Sequence, residues 1–421
     1  MKQNLLSSFR LSNFYGGGVL FDWTQRFLDL AAEEGGTINV FNLTGSRQWQ
    51  SLEKLIAPEK DFAETELFEK PIAFKPPADL MMNSRIEEIT RAVTEYDFSN
   101  QKVSSHYEPK ISLRSTFPRV MGVHRSGWKF ALQSLLPLHS DSGILFDGSS
   151  DLRFDTKQQA SLRKLENGWV GVFHHPPQMP EWFAPGGTPQ KILASYNFKN
   201  LLESCHGIFC MSENHRDWLR KQIGVAVVAL VLPTETPEIQ FSFERFRANP
   251  LPRVVQIGHW LRKLNSIYLL PTNLRRTIVH QKFDLVNKFF EQEKNLYNLS
   301  VNSGEVEVLP FLSNLEYDNL LAENLVYLDL YDATANNAVI ECIVRNTPVL
   351  VNPLPAVREH LGDEYPFYFR SRMEAARKAE DLSLIAETCD YLKNLPIKEK
   401  LTAEYFLQSV AESEIYRRLP V

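Results

Sequence analysis

The chain of 421 residues is too long for one usual core, and 43% hydrophobic with 11% aromatic content suffices for two. A net charge of −5 argues against a nucleic-acid binder that works by bulk electrostatics. No apolar run reaches the ~18–20 residues of a membrane span, and no charged-then-apolar leader precedes the first elements, so a cytoplasmic protein with at most peripheral membrane contact is expected. The cysteines, Cys205, Cys210, Cys342 and Cys389, lack a zinc-binding spacing and read as buried thiols in a reducing compartment, which makes the sequons at Asn42 and Asn298 chance.

Along the chain, Gly16-Gly17-Gly18 precedes a helical stretch at 19–32, and residues 37–43 read as a strand. The glycines could let a substrate approach the backbone or form a flexible turn. They are not G-x-G-x-x-G, and no acidic residue follows at the spacing of a dinucleotide fingerprint, which speaks against a nicotinamide enzyme. Residues 45–115 are polar and irregular. Three strands are then expected, at 119–123, 143–146 and 169–173. Their carboxyl-end loops begin His124-Arg125-Ser126-Gly127-Trp128, Asp147-Gly148-Ser149 and His174-His175-Pro176-Pro177. Two histidines in series before a rigid Pro-Pro are less common than a lone structural His. Asp147 suits a general base if one is required, although Asp-Gly is also ordinary turn chemistry.

Residues 191–204 have helical spacing, 207–211 form a short buried strand, Ser212 caps a helix, and 225–232 form a strand stopped by Pro233. Four prolines and no period mark 233–252 as the linker between a first domain (1–240) and a second (251–400). The second opens with a strand at 253–257, then Gly258-His259-Trp260-Leu261-Arg262-Lys263, a basic pair suited to phosphate or to an exposed helix. Arg275-Arg276 reads as solvated. The run 325–369 reads strand, polar loop, helix, strand, loop, helix, strand, which implies parallel strands and right-handed crossovers. Ligands bind at the carboxyl ends of such strands. The loop there holds Asp332, Thr334, Asn336 and Asn337, with Glu341 a turn into the helix. Asn336 or Asn337 can cap that helix, and its free N–H groups can equally hold phosphate. Glu341, among Val339, Ile340, Ile343 and Val344, can accept the two hydroxyls of a ribose.

The segments Ala-Thr-Ala-Asn-Asn-Ala-Val-Ile-Glu-Cys (333–342), Asn-Thr-Pro-Val-Leu-Val-Asn (346–352) and Leu-Pro-Ala-Val-Arg-Glu (354–359) resemble the donor-binding half of glycosyltransferases with two Rossmann-like domains, the GT-B fold, in particular the retaining group 1 family. That family reads roughly E-G-F-G-x-x-x-x-E-A, then G-T-P-V-V-x-S, then G-G-x-P-E. Glu341, Thr347-Pro348 and Glu359 fall on the pattern, whereas Ala333 replaces its first Glu, and Thr334 and Asn336 its glycines. The order strand, Ser212, helix and strand before the linker also resembles the family, as does a closing helix at 401–421 that crosses back to the first domain. The likeness covers 200–421 well, 116–200 loosely and 1–115 hardly at all.

The resemblance implies an α/β protein with two Rossmann-like domains facing a cleft. The donor would be a nucleotide-diphosphate sugar, its ribose on Glu341 and its diphosphate on Gly258, Arg262, Lys263 and the helix start at Asn336 and Asn337. His259 stands where the family has Arg, and the cations are shifted. One of His174 and His175 would face the sugar. No Asp-x-Asp follows a strand in the right half, so a metal-independent transferase without cofactor is expected. The acceptor is open: glycan, lipid-linked sugar, small molecule or protein. A non-catalytic binding or scaffold protein on a degenerate GT-B fold is the alternative, fed by the missing Glu and glycines. An epimerase on the same fold is a weaker third.

Overall fold

The computed structural model describes residues 39–41, 49–51, 107–113, 127–155, 168–183, 187–279, 284–310 and 312–420. The chain divides into two compact units, one of residues 1–102 and 117–123, the other of 103–116 and 124–421. In the first, β1 (Asn39–Phe41) pairs antiparallel with β2 (Trp49–Ser51). The glycine triplet, the helical stretch at 19–32, the strand expected at 119–123 and His124 lie outside the described residues.

The larger unit is α/β, built on two five-stranded parallel sheets. In the first sheet β3 (Ile111–Ser112), β4 (Ile144–Asp147), β5 (Trp169–Phe173), β6 (Cys205–Cys210) and β7 (Val227–Ala229) lie side by side in chain order. Every residue of β5 is buried, as a strand covered on both faces requires. Around this sheet lie α1 (Trp128–Ser134), α2 (Ser150–Asp155), α3 (Pro189–Ala194), α4 (Tyr196–Leu201) and α5 (Glu213–Arg220). One helix was expected over 191–204. Ser195 interrupts it by taking an extended conformation and accepting from Phe198 N, which starts α4 afresh. Trp169, Phe173, Ile192, Phe198 and Ile208 form the core beneath.

After the short α6 (Phe243–Ala248) comes the second sheet, of β8 (Arg253–Gln256), β9 (Arg275–Val279), β10 (Glu307–Leu309), β11 (Leu325–Leu328) and β12 (Val349–Val351). Its order is β10-β9-β8-β11-β12, so the chain runs outward from β8 in one direction and then in the other. Its helices are α7 (Asp284–Leu296), α8 (Asn314–Ala322), α9 (Asn337–Arg345), α10 (Pro355–Leu361), α11 (Arg372–Glu380) and α12 (Leu382–Lys393). Arg275 and Arg276 are not simply solvated. They open β9, Arg275 paired with Glu307 at 3.2 Å and Arg276 with Glu305 at 2.7 Å. The strand expected at 367–369 is reduced to one bridge, Val351 to Tyr368.

The chain closes with α13 (Ala403–Ala411) and α14 (Glu414–Arg417), separated where Ser413 caps the second. They return to the first sheet. Tyr416 accepts from Lys110 N at 3.0 Å and donates to Glu108 O at 2.5 Å, and Ile415 lies on Gly207 of β6. The sheets are also joined through Glu359 of α10, whose carboxylate accepts from Glu213 N at 2.7 Å and Asn214 N at 2.8 Å, the first two amides of α5. A carboxylate there meets unpaired N–H groups and the positive end of the helix dipole.

A Cβ at Gly207 would stand 2.6 Å from Ile415 Cγ1. Gly207→Ala should therefore lower stability by about 1–3 kcal/mol, the scale of an overpacked core. Ile415→Ala in the same chain should recover part of that loss in chemical denaturation. A single variant as stable as the parent would show that α14 does not press on β6.

Candidate functional site

In the second sheet the strand order reverses between the parallel neighbours β8 and β11, the position where open parallel sheets form a crevice because the two strands send their loops to opposite sides. The loop after β8 carries Gly258, Arg262 and Lys263, and the loop after β11 leads into α9. These groups, singled out from sequence, come together there.

Gly258 has φ +69°, and a Cβ on it would be 3.0 Å from Arg262 Nη2, so glycine lets the guanidinium fold back over the loop. Leu261 also has positive φ, +56°, which is strained for a side chain of its size. Buried Arg262 donates from Nε to Ile257 O (3.1 Å), from Nη1 to Trp260 O (2.5 Å) and from Nη2 to Asn336 Oδ1 (3.0 Å). Burial pushes its pKa down to about 10, against the pull of Glu341, so it remains a cation at neutral pH. Half-exposed Lys263 pairs with Asp329 Oδ1 at 2.7 Å and lies 5.8 Å from the centre of the Tyr331 ring.

Asn336 is the N-cap of α9. Its Oδ1 accepts from Val339 N at 3.3 Å as well as from Arg262. Asn337 is the first helical residue, and its Nδ2 lies 3.1 Å from where a Cβ on Gly127 would be. Gly127 itself has φ +93° at the entry to α1. Glu341 is buried and accepts from Tyr317 Oη at 2.5 Å. Beside it Arg345 donates to Glu341 O (3.2 Å) and pairs with Asp318 (2.7 Å), with both side chains buried.

The carboxyl edge of the first sheet meets this crevice. Asp332 accepts from Gln178 N at 2.7 Å, and Thr334 Oγ1 is 3.4 Å from His174 O. Asp147 ends β4 and is buried. Trp128 Nε1 donates to His174 Nδ1 at 3.2 Å, which leaves the ring proton on Nε2, facing Gly148 O at 2.7 Å. Burial first of all lowers the His174 pKa, with Asp151 opposing, so the ring is neutral. His175 differs from its neighbour. Its ring is buried, Nδ1 bonds to Gly187 O at 2.6 Å, and it packs 5.5 Å from Trp260. Only His174 keeps some exposure.

Asp151, Trp128 and Tyr317 were not found from sequence as site residues. Asp151 lies on α2, fully buried, and accepts from His174 N (2.6 Å) and His175 N (2.7 Å). Nothing in its local sequence distinguishes it from a first-turn helix acid. Behind the junction of the two edges sits an aromatic cluster: Phe183 stacks on Phe289 at 4.4 Å and meets Trp260 edge-on at 5.2 Å, and Trp182 meets Tyr331 at 5.5 Å.

No family model matches the chain, and no curated protein matches it. Among solved structures, a mutant of S. aureus TarM in complex with Fondaparinux, alpha-GlcNAc-glycerol and UDP is similar at 15% identity and TM-score 0.45, over 66% of this chain and 57% of that one. The match thus spans little more than half of the TarM chain. Trehalose-6-phosphate synthase OtsA is similar at 16% identity and TM-score 0.41, over 66% of this chain and 73% of its own. A UDP-forming trehalose-phosphate synthase from Burkholderia xenovorans is similar at 13% and 0.45, over 69% and 77%.

Asp151 offers a pH test. Burial raises its pKa, but His175, His174 and the two backbone N–H groups outweigh that and leave it lowered. Its stabilisation is therefore complete above the ordinary carboxylate pKa of about 4 and is lost as pH falls through the lowered folded value. Asp151→Asn should be less stable by about 2–3 kcal/mol at pH 7, the scale of bonds to a charged acceptor. The gap should narrow as the pH drops below about 4. A gap that does not change with pH in denaturation midpoints would mean that the folded carboxyl is not ionised.

Proposed function

We propose that this protein is a glycosyltransferase of the GT-B type, moving a sugar from a nucleotide-diphosphate sugar to an acceptor. One observation carries the reading: the reversal of strand order between β8 and β11 brings a helix N-terminus, a buried arginine and a buried glutamate to the same crevice. An anion at that crevice meets the positive end of α9 and the guanidinium of Arg262. Glu341 would take the ribose. Lys263 would reach the diphosphate by exchanging Asp329 for phosphate. His174, rather than His175, would face the sugar, with Asp147 as the carboxylate at the adjoining strand end. As the bond to the leaving phosphate breaks, Arg262, Lys263 and the α9 amides would stabilise the charge that develops, without a metal. Retention of configuration and a cytoplasmic location belong to the same proposal. Among the described residues no helix is long and apolar enough to cross a membrane.

A second reading has an observation of its own. Arg262, Lys263 and Glu341 each already have a protein partner, as in a scaffold that has closed its ligand site.

Thermal stabilisation by UDP, GDP and ADP, then by their sugar conjugates, tests ligand binding, since a ligand of the folded state raises stability by mass action. Glu341→Gln should weaken the nucleotide by about 1.5–3 kcal/mol with the fold intact. His174→Ala should lower kcat for donor hydrolysis or transfer about a hundredfold with donor affinity nearly constant, as for a group acting in the transition state. His175→Ala should instead lower the melting temperature. Failure of every nucleotide to bind would end the transferase reading, and binding without turnover of any sugar donor would favour the scaffold.

A further inference from the structure

We propose that Tyr317 is a positioning residue for ribose recognition, its hydroxyl setting the orientation in which the Glu341 carboxylate meets the sugar hydroxyls of a nucleotide. This rests on the reading of Glu341 as the ribose acceptor.

The terminal torsion of a glutamate is broad and roughly two-fold, so a carboxylate that must receive a pair of vicinal hydroxyls needs a fixed plane. Tyr317 supplies a fix from the side. Its hydroxyl donates to Glu341 Oε2 at 2.5 Å, in the short range of a bond to an ionised oxygen. The donor is held in turn. The α8 backbone is anchored by a capping box in which Glu316 N meets Ser313 Oγ (3.3 Å) and Ser313 N meets Glu316 Oε2 (2.7 Å). The Tyr317 ring lies under the Arg345 guanidinium at 5.6 Å, and that guanidinium is fixed by Asp318 at 2.7 Å and by Glu341 O at 3.2 Å. Burial pushes the phenol pKa well up, so the hydroxyl is a donor throughout the working range. The Tyr317 ring fills space that a phenylalanine would fill equally, whereas the hydroxyl is the part that touches Glu341.

The probes are UDP, GDP and ADP with their 2′,3′-dideoxy counterparts, measured by calorimetry on the full chain as wild type, Tyr317→Phe and Glu341→Gln. Wild type should prefer the ribonucleotide. Tyr317→Phe should weaken the ribonucleotide about five- to tenfold, the scale of one lost hydrogen bond. It should leave the dideoxy form within about twofold, so that the preference collapses while the melting temperature stays near the parent's. Equal losses for both forms, with a lower melting temperature, would mean that the hydroxyl only supports the fold and would overturn the proposal. Unchanged affinity for both forms would overturn it too. A wild type indifferent to the ribose hydroxyls, or insensitive to Glu341→Gln, would remove Glu341 from the ribose and the proposal with it. That failure is distinguishable because it shows before Tyr317 is changed.

Discussion

One oxygen, Oδ1 of Asn336, accepts both the Val339 amide that begins α9 and the Arg262 guanidinium from the loop after β8. A buried cation loses several kcal/mol of hydration unless its donors are met. Here Ile257 O, Trp260 O and Asn336 Oδ1 meet them, and Glu341 supplies opposite charge nearby. Removing the Asn336 oxygen would at once uncap the helix and leave one guanidinium N–H without its acceptor. The alignment of α9 with β8, and with it the polar lining of the crevice, depends on that double acceptance.

The two sheets are joined by contacts of different kinds. Glu359 on the α5 amides and Asp332 on Gln178 N are carboxylate-to-backbone bonds. The Glu359–α5 pair is solvent-exposed, where water can replace the partner at little cost. The aromatic group of Phe183, Trp260 and Phe289 is apolar and does not exchange with water in that way. The chain's return over Gly207 through Ile415 is a close-packed contact with no slack. Relative movement of the sheets would thus be resisted least at the polar latches and most at the aromatic cluster and beneath β6.

Much of the fold is legible because its central strands are unbroken apolar runs. Trp169–Phe173, Leu325–Leu328 and Val349–Val351 are buried along their whole length, and their shortness, with polar or proline-bearing loops beside them, favours strand over helix. A cap at Asn336 or Asn337, which the structure gives to Asn336, also follows from local chemistry. The edge of the second sheet does not, since Arg275–Val279 opens on two arginines and Glu307–Leu309 on a glutamate, which read as solvent-facing until their mutual pairing is seen. The site is less legible than the fold. His174 and His175 are adjacent and chemically identical, and Trp128, 46 residues away, tells them apart by giving His174 a donor on Nδ1. Tyr317 lies 24 residues from Glu341 on a different helix, a pairing that no local spacing encodes.

Where the chain departs from the glycosyltransferase pattern, the departing side chains are engaged. Thr334 and Asn336 stand where the pattern has glycines that bring backbone close to the sugar. Thr334 reaches the His174 carbonyl, and Asn336 caps α9 and holds Arg262. Ala333, in place of the first acid of the pattern, is buried, and the neighbouring Asp332 is turned to Gln178 N and Ala333 N. Contacts that glycine backbone would offer a ligand are thereby replaced by side-chain bonds within the protein. On the proposed function, the nucleotide side of the crevice has its acid in Glu341 and its cations, at shifted positions, in Arg262 and Lys263, and the sugar side presents different groups. A donor sugar would be selected there by Thr334, Asn337 and the loop after β5, a set that the family pattern does not specify.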